Sequence, residues 1–335
     1  MRLARTLRKA WATLGALNLL GTLLVPECSA FVISNEALDA RGDTLHFVRA
    51  GHQQHPCVTH TSAHDAHRAQ EVFKNLSLTI PGHQRRQGPL RQYTFDVQFN
   101  IVATNFTYLG GWVPDSYITA QMDLLNRHFE GSGISWNHVG TRRILSRYWH
   151  EALTSNTTVH IMQLGRTFRV GGPETMNVYT LGFYREPANG FASLPFSYSR
   201  NPIRDGVFLQ FDILPGGSRP DRQGATLTHE AGHWLGLLHT FEVTLRFLFF
   251  ILAMTNPFPQ GGCDEPGDFV DDTPPEASPA FGCPIGRDSC PGGGLDPINN
   301  FMDYSNEECR QEFTPGQIAL MHSSIEAFRI PRAGA

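Results

Sequence analysis

Hydrophobic and polar positions alternate most clearly from Gln92 onward. Tyr93, Phe95, Val97, Phe99 and Ile101 take every second place between polar residues, the signature of a half-buried strand. Gly110 to Asp115 reads as a loop. Ile118, Met122, Leu125 and Phe129 then recur at helical spacing, so a helix is expected, capped by Asp115 or Ser116 and ended at Gly131 to Gly133. Ile134 to Val139 reads as a second strand. Val159 to Leu164, Asn177 to Leu181 and Gly206 to Phe211 are further strand candidates, Gly190 to Tyr198 an irregular loop, and Pro215 to Gly217 a turn. A helix is expected to start between Arg222 and Thr226. A last one, with Ile318, Leu320, Met321, Ile325 and Phe328 on its apolar face, follows the cap at Thr314. Strands with an early and a central helix make the half of the domain before the central helix α/β.

The pattern is different at both ends of this region. Arg2, Arg5, Arg8 and Lys9 precede an apolar run from Ala10 to Val25 and the small-residue exit Cys28-Ser29-Ala30. Residues 1–30 therefore read as a secretory signal peptide cleaved after Ala30; a membrane anchor is the alternative, but the run is short for a span of about 20 residues. Residues 31–91 are polar, rich in His, Gln and Arg, and read as a propeptide or N-terminal extension. Residues 92–335 are left for one globular domain. Three sequons, at Asn75, Asn105 and Asn156, agree with secretion and a glycoprotein. The chain of 335 residues carries a formal net charge of −4 and no long basic run, so nothing suggests nucleic acid.

Removing the signal peptide removes Cys28 and leaves five of the six cysteines. Cys263, Cys283, Cys290 and Cys309 should pair in an oxidising compartment, with three connectivities open. Cys57 is left over, in His55-Pro56-Cys57-Val58-Thr59. A propeptide thiolate can block an open zinc position; the bland alternative is a free or externally paired cysteine.

The chemistry concentrates in His229-Glu230-Ala231-Gly232-His233-Trp234-Leu235-Gly236-Leu237-Leu238-His239. Histidines four apart share one helix face and can reach one ion. Glu230 points the same way without ligating. Gly236 allows the sharp turn that returns His239 as a third ligand. Three neutral imidazoles with one position open fit a catalytic Zn2+ ion, with Glu230 as general base for peptide hydrolysis. A lone pair of histidines at this spacing is often structural; the full pattern is far more specific. Asn299 to Ser305 places Met302 about 63 residues past His239, where a methionine turn can floor such a site, and Tyr304 can donate to an oxyanion. Asp264, Asp268, Asp271 and Asp272 lie in a Gly- and Pro-rich loop; they could bind Ca2+ or form a solvated acidic loop.

With these stretches, the chain resembles the pappalysin family of metzincin metalloproteases. The zinc motif carries the likeness, with Asp271 to Pro274, Phe281 to Pro284, Asp288 to Gly294, Asn300 to Ser305, Cys309 to Gln317 and Phe328-Arg329. It covers roughly residues 92–329. It implies a metzincin-type, two-subdomain zinc protease: a twisted sheet with helices above the cleft, and below it a loop-rich, disulfide-bonded subdomain with a C-terminal helix. It also implies the crossed disulfides Cys263–Cys290 and Cys283–Cys309, and, from family members with a short pro-segment, a latency role for Cys57. The expected partners are protein or peptide substrates, without nucleic acid or membrane, for an extracellular monomer.

One departure stands out. Family members run almost directly from the His-Thr-Phe equivalent into Gly-Gly-Cys, whereas here residues 242–260 intervene, with a 12-residue apolar run from Val243 to Met254. Deleting Val243 to Gln260 restores the family's run. The residues also permit splice signals: GAG|GTN at Glu242-Val243, CTAAC within Met254-Thr255-Asn256 and CAG at Gln260. These 18 residues, about 54 nucleotides, therefore read as a retained intron, the alternative being a real hydrophobic flap. A site spoiled by the insertion gives the rival function, a non-catalytic secreted binding protein on the same fold.

Overall fold

The computed structural model describes residues 55–57, 59, 71–72, 74–76, 90–186, 188–219, 221–242, 263, 267–290 and 292–330. The expected signal peptide and the insertion at 243–260 lie outside the described residues, as do most of residues 31–91. Among the described residues no helix is long and apolar enough to cross a membrane.

Six strands form one sheet: β1 (His55–Cys57), β2 (Tyr93–Ala103), β3 (Ile134–Leu145), β4 (Thr175–Leu181), β5 (Ala188–Ala192) and β6 (Val207–Gln210). Their order is β1-β5-β6-β4-β2-β3. β3, β2, β4 and β6 run parallel; β5 is antiparallel to β6, and β1 is parallel to β5.

The alternation in β2 has the predicted outcome. Phe95, Val97, Phe99 and Ile101 point to one face and pack with α1 (Asp115–His128) and α4 (Ala225–Trp234) through Ile118, Leu125, Leu227, Ala231 and Trp234. The other face holds Val102, Tyr179, Leu181, Phe191 and Phe208 against α2 (Arg147–Ala152) and α3 (Thr158–Phe168). Helices therefore cover both faces, as a mostly parallel sheet requires. Among the described residues after α4 there is little regular structure until α5 (Pro315–Ser324), where Thr314 and Gln317 form a reciprocal capping box. Disulfides Cys263–Cys290 and Cys283–Cys309 hold this half together, in the connectivity implied by the family resemblance.

Three local expectations need correction. Val159 to Leu164 is helix, not strand: Ile161, Leu164 and Gly165 are buried at helical spacing, three and four residues apart. Part of the expected loop at Gly190 to Tyr198 is strand β5, held by pairing of Gly190 with Leu209 and Phe191 with Phe208. Neither Asp115 nor Ser116 caps α1; Asp115 is its first residue and pairs with Arg143.

Gly165 marks how tightly α3 is seated. A Cβ there would fall 1.9 Å from the Ile203 carbonyl oxygen and 2.9 Å from its carbon. Gly165→Ala is therefore expected to destabilise by about 3 kcal/mol, the upper end of overpacking costs. Thermal unfolding should show a loss of roughly 6–10 °C, and an unchanged midpoint would mean that the helix can slide away at no cost.

Candidate metal centre

Helix α4 is buried along its whole length and carries His229, Glu230 and His233 on one face. Gly236 adopts φ 106°, and Leu237 N–H donates back to the Gly232 carbonyl at 2.9 Å. This left-handed turn brings His239 back toward the helix, as its glycine permits.

The three imidazoles converge through Nε2. His233 Nε2 lies 3.2 Å from His229 Nε2 and 3.0 Å from His239 Nε2. The Nδ1 atoms face outward, with His229 Nδ1 donating to the Phe301 carbonyl at 2.7 Å and His233 Nδ1 to the Leu237 carbonyl at 2.8 Å. A carbonyl only accepts, so these Nδ1 atoms carry the protons and the Nε2 lone pairs point at one another. Burial and the neighbouring histidines push His229 and His233 well below the ordinary histidine range, which keeps them neutral. Converging lone pairs on neutral rings repel unless a cation sits among them. The donor set fits zinc, and the carbonyls fix each ring's tautomer and orientation.

The floor is built as the methionine turn suggested. Met302 is fully buried, and its Sδ lies 2.5 Å from where a Cβ on Gly232 would stand. Tyr304 reaches the centre: its hydroxyl is 3.3 Å from His239 Nε2 and donates to the Cys57 carbonyl at 2.7 Å. Glu230 is fully buried, and that burial raises its carboxyl to about 8 despite the hydrogen bonds from Cys57 and Thr59.

Cys57 is the fourth member of the centre. Its Sγ and the three imidazole nitrogens all lie within 4.8 Å of one another. Strand β1 places it there, with Cys57 in register with Gly190. The thiol lies 3.6 Å from Glu230 Oε2 and donates to Thr59 Oγ1 at 3.1 Å. Burial, then the Glu230 charge, push the thiol well above its ordinary value. A thiolate here therefore needs a cation at the histidine centre.

Thr59 was not singled out from the sequence. Its hydroxyl lies 3.2 Å from Glu230 Oε2 and accepts the Ala192 N–H at 3.0 Å, tying the N-terminal segment to both the glutamate and β5. Its place beside Cys57 was the available signal. The acidic loop does not form a common centre among the described residues. Asp272 accepts from Thr314 Oγ1 and Gly316 N–H at the start of α5, and Asp268 closes a local turn onto Val270 N–H. Glu276, also unforeseen, accepts from Thr240 Oγ1 at 2.8 Å and pairs with Arg287 at 2.6 Å, bracing the segment after His239.

The peptidase M43 family model, described as pregnancy-associated plasma protein-A, matches residues 174–326. An extracellular metalloprotease of Verticillium alfalfae is 41% identical over 240 residues, covering 70% of this chain and 76% of the relative. Extracellular metalloprotease 1 of Coccidioides posadasii is 37% identical over 251 residues, covering 72% and 79%. Among solved structures, mature mirolysin of Tannerella forsythia in complex with a cleaved peptide superposes with TM-score 0.54 at 19% identity, over 72% of this chain and all of that one. A promirolysin mutant gives TM-score 0.58, also at 19% identity, over 83% of this chain and all of that one.

Proposed function

The chain belongs to the pappalysin family of zinc metalloendopeptidases, and from that premise we propose that His229, His233 and His239 hold the zinc, Glu230 is the general base and Tyr304 stabilises the oxyanion. The observation that carries this reading is the convergence of three Nε2 atoms beside one buried carboxylate and one buried phenol. Bound zinc supplies Lewis acidity and makes water a competent nucleophile near neutral pH. Glu230 accepts the proton of the attacking water at a carboxylate oxygen and returns it to the leaving nitrogen as the amide bond breaks. The Tyr304 hydroxyl donates to the carbonyl oxygen as negative charge develops there. Zinc content together with casein hydrolysis tests this reading. A zinc-loaded protein without hydrolysis, once residues 31–91 are removed, would favour the non-catalytic binding protein instead.

The same geometry supports latency. Cys57 Sγ stands with the three imidazole nitrogens, where it would compete with a water for a bound zinc; Thr59 engages Glu230, and β1 pairs with the edge of β5. We read residues 31–91 as a pro-segment on this ground. Secretion is supported by the relatives' extracellular naming and by the two disulfides, which suit an oxidising compartment.

Residues 243–260 are proposed to be translated intron. A run such as Leu248 to Leu252, soon after the third histidine in sequence, is an apolar stretch of the kind prone to association. A chain lacking Val243 to Gln260 is expected to be soluble and active, and the chain as written poorly soluble or inactive. Transcript sequencing decides the gene structure: mature messenger RNA that keeps the segment, with a soluble and active full-length product, sinks the proposal.

A further inference from the structure

Helix α4 has no side-chain cap of its own. Its first flanking residue is Gly224, at φ 101°, and the unpaired N–H groups there are served from far along the chain. Glu307 Oε2 accepts from Gln223 N–H at 2.5 Å and Ala225 N–H at 3.1 Å; Oε1 accepts from Thr226 N–H at 3.1 Å and Thr226 Oγ1 at 2.8 Å. The Glu307 side chain is 5% exposed, with Arg310 Nη2 3.5 Å from Oε1.

The opposite end is held in the opposite sense. Arg329 donates to the Trp234 carbonyl from Nε at 3.1 Å and Nη2 at 2.8 Å. Its guanidinium lies 3.6 Å from the centre of the Trp234 ring. Asp205 completes the joint, accepting from Arg329 Nη1 at 2.9 Å and Trp234 Nε1 at 3.2 Å. An anion thus meets the positive end of the dipole and a cation the negative end.

Position 224 excludes the serine or aspartate that would cap a helix locally: its φ is 101°, and a Cβ would stand 2.8 Å from atoms of Gln121, Leu124 and Pro215. The structure instead uses a residue three places after Tyr304 and five after Met302. The helix that carries two histidines is thereby fixed to the segment that carries the floor, the Tyr304 hydroxyl and the Phe301 carbonyl that orients His229. We propose that Glu307 and Arg329 are positioning residues of the centre: they set where His229 and His233 stand relative to His239 and Tyr304. The inference rests on the three-histidine zinc reading.

The test uses, as wild type, the chain lacking Val243 to Gln260, together with its Glu307→Gln, Glu307→Asp and Arg329→Lys variants. Glutamine is nearly isosteric, and near-ultraviolet circular dichroism identifies folded protein. Chelator competition measures zinc affinity, and the visible bands of the cobalt-substituted protein report ligand geometry. Glu307→Gln and Arg329→Lys should each weaken zinc binding about tenfold, the lower range for groups that orient metal ligands, and shift the cobalt bands. Glu307→Asp should recover part of both. Folded variants with a lowered melting temperature but wild-type zinc affinity and cobalt spectrum would reduce the pair to ordinary helix caps and overturn the proposal. A wild type that takes up no zinc would instead remove the parent reading, which separates the two failures.

Discussion

Glu230→Ala is expected to bind zinc as the wild type does and to lose roughly 10²–10⁴-fold in peptidase turnover, the usual contribution of a positioned general base. The division follows from geometry. The helix directs His229 and His233 toward each other through Nε2, whereas Glu230 lies beside them, next to Gly190 and Thr59. His233→Ala should lose both properties, because its Nε2 is within 3.2 Å of each of the other two ring nitrogens and it joins them at the centre. Zinc content by elemental analysis and casein hydrolysis on the same preparations check the pair. A Glu230→Ala protein with near-normal turnover would remove the glutamate from the mechanism. Zinc without turnover in the activated parent would return the protein to the binding class.

The second large effect concerns Cys57. Serine is nearly the same size, but its hydroxyl is a far poorer zinc ligand than a thiolate. Cys57→Ser should convert a latent precursor into one that hydrolyses substrate without proteolytic processing. Thr59 would still hold one glutamate oxygen and β1 would still pair with β5, so the release is graded by how readily that short strand leaves. An intact precursor as latent as the wild type would end the thiol proposal and leave steric masking. Intact mass, measured alongside the rate, excludes cleavage as the source of activity.

What was legible in the sequence was whatever local spacing encodes. The helical offset of His229 and His233, the glycine that turns the chain at 236, the period-two pattern of β2 and the box of Thr314 with Gln317 all act within a few residues. Val159 to Leu164 misleads because Val159, Ile161 and Leu164 suit a strand by composition; packing onto the sheet selects the helix. β5 carries small residues and a glycine, weak strand formers, and exists because β6 supplies its hydrogen bonds. The Cys57 strand has no local signal either, since its partner begins at Ala188. The site showed the same division. The three histidines were legible as a motif, while Thr59, Glu276, Glu307 and Arg329, which bond to Glu230, Thr240 and the two ends of α4, belong to distant segments.

The long reach of those contacts also has a temporal meaning. Glu230 meets Cys57 across 173 residues, and Trp234 meets Arg329 across 95. Chains emerge from the ribosome N-terminus first, so the Cys57 strand exists before the helix, and the helix before the residues that bond to its ends. Such long-range closures are the slow ones in folding, and here each waits until its later partner has been made. The histidine centre therefore closes around a Cys57 that is already present. On the pro-segment reading, the centre is therefore never complete before its guard has been made.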